Sequence, residues 1–304
     1  MRKLFLILTM ISACAQDIFV PFFSATSTTG NNLNTSLYAY WQFDTTAGGV
    51  PNAAGVTSRD LIVPAGAVAP SSTTSPIIGN ARSFDQTDIT PPNSGHYPNG
   101  QYFASSDPTQ FNFLSSDFTV AAWVNFPFNT SGDHLGHKTV IGKGDFGPGR
   151  LCWWLVMERN SSADPADDYF AFYVSGDGST ITTIATTPLN IIYENGHYWL
   201  VVVTKSGSAI SIRARADNSP TNGSQDITGA GTFAGSLFSN VIDPVVIATQ
   251  RGFSNNIYDM WGDVDSIGIW TRVLDYPCQY NKLFAQFSSH APTYAQFDTN
   301  PCAP

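Results

Sequence analysis

Between residues 37 and 274 the chain is a succession of short period-two runs cut by Gly, Asn and Asp turns; only behind Asp275 does the spacing turn helical. That pattern constrains the fold more than any motif does. A strand shows successive side chains to opposite faces, so alternation of apolar and polar residues specifies a half-buried strand. Many such runs at turn-punctuated intervals predict a sandwich or barrel. They fall at 37–43, 81–85, 101–105, 118–124, 139–141, 151–158, 169–175, 181–186, 198–205, 209–216, 245–249 and 260–274. Phe118 to Val124, FTVAAWV, is apolar on both faces, as a central strand should be. Residues 44–79, rich in Gly, Ala, Pro, Ser and Thr, read as a long surface excursion. The expected class is all-β: an antiparallel jelly-roll β-sandwich with one short C-terminal helix.

The last run, MWGDVDSIGIWTRVL, is the one on which the sheet should close. Unbroken alternation would put Gly262, Val264, Ser266, Gly268 and Trp270 on one side. Trp261, Asp263, Asp265, Ile267 and Ile269 would take the other. Behind it, Tyr276, Tyr280, Leu283, Phe284 and Phe287 recur at helical spacing, with Asp275 as N-cap and Pro277 in the first turn.

The 304 residues suffice for one large β domain or two smaller ones. Charged residues are only 12%, against about 25% in an average soluble domain. Polarity comes instead from Ser, Thr, Asn and Gly, which suits an extracellular β protein. The net charge is −9 and Lys and Arg form no clusters, so the electrostatic footprint of a nucleic-acid binder is missing. Arg2 and Lys3 precede an apolar run at 4–11 and the small residues Ser12-Ala13-Cys14-Ala15. This run is too short to span a bilayer and reads as a secretory or lipoprotein signal, with Cys14 at a lipobox-like position, or else as an apolar arm packed inside an assembly. The expected organisation is a signal or arm at 1–15, a linker at 16–36, one domain at 37–287 and a tail at 288–304. Four cysteines are too few and scattered for a zinc site. Cys278 and Cys302 can staple the tail to the last helix in an oxidising compartment. Cys152 reads as a buried small hydrophobe.

Taken together, YWQFD (40–44), GNARSFD (79–85), DFTVAAWV (117–124), VIGKGD (140–145), YFAFYVSGDG (169–178), GHYWLVVVTKSGSAISIRARAD (196–217), VVIATQ (245–250) and GDVDSIGIWTRVLDYPCQYNKLFAQF (262–287) stand in a telling order. It resembles that of the LamG-like jelly-roll domains of the concanavalin A-like lectin/glucanase superfamily. The resemblance covers about residues 37–287, departing at the 44–79 segment and at Ser266, where the family usually has Glu. It implies a structural Ca²⁺ held by Asp44, Asp85 and Asp265, with Asp263 as a substitute, since hard cations want several oxygen ligands.

Catalytic readings find little support. Asp263-x-Asp265-x-x-Gly268 lacks the oxygen ligands and preceding helix of an EF-hand. Gly142-x-Gly144-x-x-Gly147 runs into a strand rather than a helix, so it reads as a turn and not a dinucleotide fingerprint. His134 and His137 read as solvated loop residues. Glycoside hydrolysis usually needs two carboxylates about 5–9.5 Å apart. The only glutamates are Glu158, alone on its strand, and Glu194, in a turn. No enzyme is expected. Binding remains: adjacent Trp153 and Trp154 must face opposite ways, one into the core and one outward, and Tyr169 and Tyr173 share a face that could extend an aromatic platform for sugar rings. The expected protein is therefore a surface-displayed recognition or adhesion module, extracellular, secreted or lipid-anchored, whose partner is carbohydrate or a surface polymer. The alternative is a structural virion protein, a phage fibre or capsid decoration, self-assembling with other virion subunits.

Overall fold

The computed structural model describes residues 32–45, 48–75, 79–84, 100–126, 136–145, 149–159, 168–186, 198–216, 226–249, 260–276, 278–287, 297 and 302. In chain order the strands are β1 (Leu37–Trp41), β2 (Leu61–Ile62), β3 (Ser71–Thr74), β4 (Asn80–Phe84) and β5 (Phe103–Ser105). Next come β6 (Phe118–Asn125), β7 (Gly136–Gly144), β8 (Leu151–Arg159), β9 (Tyr169–Val174) and β10 (Thr182–Ala185). The series ends with β11 (Trp199–Ser206), β12 (Ala209–Ala216), β13 (Asp226–Thr232), β14 (Val245–Ile247) and β15 (Gly262–Trp270), followed by helix α1 (Cys278–Phe287).

They form a two-sheet antiparallel sandwich. The first sheet runs β13-β12-β11-β6-β15-β4-β3, with β1 also on β15; the second runs β10-β9-β8-β7-β14-β5-β2. Alternation explains how each strand serves two layers. In β6, Phe118, Val120, Ala122 and Val124 enter the core between the sheets, while Ala121 and Trp123 face outward beneath α1. The intersheet core is strongly aromatic: Phe113 stacks on Phe118 with centroids 4.6 Å apart, and both lie near Trp153. Such pairs add about 0.5–1.5 kcal/mol each beyond the area they bury.

The strands expected from alternation are present, with four corrections. First, β15 is not one period-two run. Val264 pairs with Val124 and Ile267 with Ala122, so Asp265 and Ser266 together oppose Trp123 in a bulge. The extra residue resets the phase. Val264, Ile267 and Ile269 all reach the intersheet core, and Trp270 faces outward, its indole N–H donating to Leu33 O at 2.6 Å. The bulge also divides the other edge of β15: Gly262–Val264 pairs with β4, and 267–270 with β1.

Second, the 44–79 excursion contains β2, β3 and a 3₁₀ turn at Thr57–Arg59. It is pinned to the sandwich, since Trp41 donates through Nε1 to Arg59 O at 2.9 Å and Arg59 lies 3.5 Å over the Tyr38 ring. Third, β13, DITGAGT, completes the edge of the first sheet although glycine weakens strand signals. Its glycines allow a close approach to β10: a Cβ on Gly229 would stand 1.8 Å from Ala185 O. Fourth, the helix begins at Cys278, leaving Tyr276 outside it. Asp275 caps through its backbone, accepting from Gln279 N at 2.9 Å while Gln279 Oε1 accepts the Asp275 N–H at 2.7 Å. Cys278 and Cys302 form a disulfide, Cα–Cα 5.9 Å. The expected N-terminal signal or arm, most of the linker and nearly all of the tail lie outside the described residues.

A candidate binding cleft between α1 and the first sheet

On the outer face of the first sheet, the ends of β11 and β12 away from Trp199 are only partly covered by α1, leaving a cleft of 240 Å³. Its floor follows from alternation on β12. Ile210, Ile212 and Ala214 enter the core, so Ser211, Arg213 and Arg215 must point outward. Cross-strand register sets Thr204 opposite Ser211 and Val202 opposite Arg213. The Thr204 and Ser211 hydroxyls pair at 2.6 Å, a fixed polar spot on the floor.

The wall is the connector from β15 to α1. Leu274 N donates to Thr119 Oγ1 at 3.0 Å, and Arg272 reaches Thr35 O, Asn32 O and Gln279 Oε1 at 2.7–2.9 Å. The connector is thus held from three sides. It presents Tyr276, 48% exposed, over the cleft. The Arg213 guanidinium lies 3.8 Å over the Tyr276 ring, and Tyr280 on α1 stands behind it at 5.6 Å. Tyr280 is 3% exposed, and its hydroxyl has no hydrogen-bond partner among the described residues. Burial, reinforced by the Asp226 charge, pushes this phenol above its ordinary value despite the nearby Arg215 and Arg213, so it stays protonated at neutral pH. Arg215 has an aromatic and an acidic neighbour of its own: it lies 3.8 Å over Phe284 and opposes Asp226 across the strand pair.

The residues singled out from the sequence are distributed elsewhere. Trp153 lies in the intersheet core and donates through Nε1 to Phe111 O, so its ring meets no ligand from outside. Trp154, Tyr169 and Tyr173 do share the outer face of the second sheet, with Trp154 paired directly to Tyr173. Trp154 is fully buried, however, and Tyr173 is 7% exposed, so this face is packed rather than open. His137 is a strand residue on β7, not a loop residue: its Nδ1 meets Glu158 Oε1, and Tyr173 OH lies 3.1 Å from the same nitrogen. His134 and Glu194 lie outside the described residues.

The calcium set does not assemble from the described residues, among which no group of three or more His, Cys, Asp or Glu side chains converges. Asp265, fully buried at the bulge, accepts hydrogen bonds from Ser75 Oγ and, at 2.9 Å, Ser266 Oγ. Asp263 accepts from Tyr198 OH at 3.4 Å, and burial holds its carboxyl above the usual range. Asp44 is exposed and accepts from Asn80 N at 3.1 Å. Ca²⁺ takes about 6–8 oxygens. Asp85, the remaining expected ligand, lies outside the described residues.

Arg213, Tyr276, Thr204 and Ser211 were not expected as site residues. One signal was readable: two arginines alternating with apolar residues on β12 mark a charged outward face. The place of Tyr276 was hidden by its helical spacing.

No protein-family model and no curated protein matches the sequence. Among solved structures, domain 4 of an extracellular arabinanase from Geobacillus stearothermophilus, in complex with arabinotriose, is similar at a TM-score of 0.47. Its identity is 12%, over 84% of this chain and 98% of that one. Trypanosoma rangeli sialidase in complex with 2,3-difluorosialic acid gives 0.47 and 14%, over 79% of this chain and 31% of that one. The botulinum neurotoxin serotype D binding domain gives 0.47 and 10%, over 79% and 48%.

Proposed function

We propose that this chain is a non-enzymatic recognition module that binds carbohydrate in the cleft between α1 and the first sheet. The observation that carries the reading is Tyr276: a half-exposed ring on a braced connector, beside paired hydroxyls and a buried phenol without a partner among the described residues. The C–H face of a pyranose is apolar and stacks on an aromatic face, while its hydroxyls need fixed donors and acceptors. Cleft and sugar are complementary in both respects. The order of motifs supports a LamG-like jelly roll. The Cys278–Cys302 bond supports display outside the cytosol. Glu158, the glutamate of the described residues, is engaged with His137, which supports a binding role over a hydrolytic one.

A glycan array probed with wild type and Tyr276→Ala tests this. Wild type should give a defined glycan signal, and Tyr276→Ala should weaken it about tenfold, the equivalent of one lost stacking contact. Its melting temperature should fall by no more than a few degrees, because the ring is half exposed and its contacts are those to Arg213 and Tyr280. A wild type that binds no glycan would sink the reading. Binding indifferent to Tyr276→Ala would move it off this cleft.

A further inference from the structure

The charges around the cleft are unevenly matched. Arg215 faces Asp226 across the strand pair, and Arg272, whose pKa burial lowers, has the Asp275 charge on the cleft wall acting against that shift, so these two cations have carboxylates at hand. Arg213 forms no ion pair with any described residue: its guanidinium rests on the Tyr276 ring and its fork is left to the cleft. An arginine that covers an aromatic ring makes no hydrogen bond to it and so keeps its N–H donors for an anion, and the guanidinium fork suits bidentate carboxylate recognition. A chain of net charge −9 that keeps one cation unmatched in its cleft has a site for negative charge. The second observation is independent. The Tyr280 hydroxyl, on a lining residue that is 3% exposed, has no partner among the described residues, and such a group costs about 1–3 kcal/mol when left unmet. The volume, 240 Å³, lies under the range of about 300–1,000 Å³ common for drug-sized ligands and suits one ring.

Resting on the reading of this cleft as a sugar site, we propose that its ligand is an acidic sugar, a uronic or sialic acid unit. The apolar side of the sugar packs against the exposed part of Tyr276 beside the guanidinium, the carboxylate is taken by Arg213, and ring hydroxyls meet the Thr204–Ser211 pair and Tyr280.

The test titrates the intact chain with glycosides of glucuronate, galacturonate and N-acetylneuraminate, each beside its own methyl ester, at low and moderate salt. At least one acid should bind about tenfold or more tighter than its ester, the gap narrowing with salt. Arg213→Gln should abolish the gap, and Arg213→Lys, which keeps the charge but not the fork, should restore only part of it. If acids and esters bind alike, and Tyr276→Ala weakens both, the sugar site stands and the acid preference falls. If neither binds, both fall together. If a tri-aspartate peptide displaces the best acid at equal concentration, the cleft reads carboxylates rather than sugars and the proposal is overturned.

Discussion

The indole of Trp154 occupies the space where a side chain on Gly142, its cross-strand partner, would begin: a Cβ built on Gly142 would stand 1.9 Å from Trp154 Cε3. Gly142→Ala should therefore force the indole off its seat on the outer face of the second sheet and lower stability by about 1–3 kcal/mol. Urea melts give the value. In the double variant with Trp154→Ala the penalty of the added methyl should largely vanish, a coupling that a double-mutant cycle reads directly. Additive losses would show that the two residues do not share this space.

The disulfide closes a 24-residue separation between α1 and the tail. Chain-entropy reasoning puts its stabilisation at about 3 kcal/mol. Replacing both cysteines by serine should lower the denaturation midpoint accordingly. Because α1 supplies Tyr280, the same variant should weaken the glycan binding proposed for the cleft at temperatures well below its melt. Unchanged binding would show that packing alone seats the helix.

Cys152 is buried, and burial pushes its thiol up to about 12. The native thiol should resist alkylation at pH 8 and react once the chain is unfolded, since the thiolate is the nucleophile. Its contribution to stability is present below the ordinary thiol pKa and is lost as pH rises towards 12, because only the unfolded chain ionises freely in that window. Rapid labelling of the native protein at pH 8 would contradict this.

Burial also raises the carboxyl of Asp263, so in the window just above the ordinary carboxylate range the folded chain binds more protons than the unfolded one. This residue therefore makes stability fall as pH rises through that window. Asp177 works the other way: hydrogen bonds from Thr180 and Ser179 hold its carboxyl below the usual range. Comparing wild type with Asp263→Asn isolates the first effect. The stability difference in favour of the amide should grow between pH 4 and 7, and a constant difference would rule the effect out.

Asp265 has its hydrogen bonds from Ser75 and Ser266 and is fully buried. EDTA should leave the melting temperature unchanged. A fall of several degrees would establish a tight structural ion and call for ligands beyond Asp44, Asp263 and Asp265.

The sandwich was legible because most of its strands carry strict alternation: β12 writes its two faces residue by residue. What escaped has physical reasons. At Asp265–Ser266 the bulge changes the phase of a strand whose residues on both sides would suit either face. In β13 glycines stand where strand signals call for side chains, because β10 passes too close for a Cβ. The site was harder to read. Alternation puts one of Trp153 and Trp154 on an outer face, but it does not say that the face is packed shut. The spacing of Tyr276 from Tyr280 is helical, whereas the helix begins only after it, at Cys278. Arg213 acquires its meaning from register with Val202 and from a ring 63 positions further on, and neither relation is local.

The two partners that share one edge of β15 also bear on how such a chain is made. Leu33 meets Trp270 across a sequence separation of 237, and β1 waits for the same strand. So do β4 and one side of β6. A ribosome adding about 5–20 residues per second therefore leaves the first sheet in separate pieces until residue 270 has emerged, with the edge of β6 bare throughout. Chains cut short before residue 262 should never settle into a shortened version of the fold. They should persist as sticky fragments, and refolding of the full chain should be correspondingly slow.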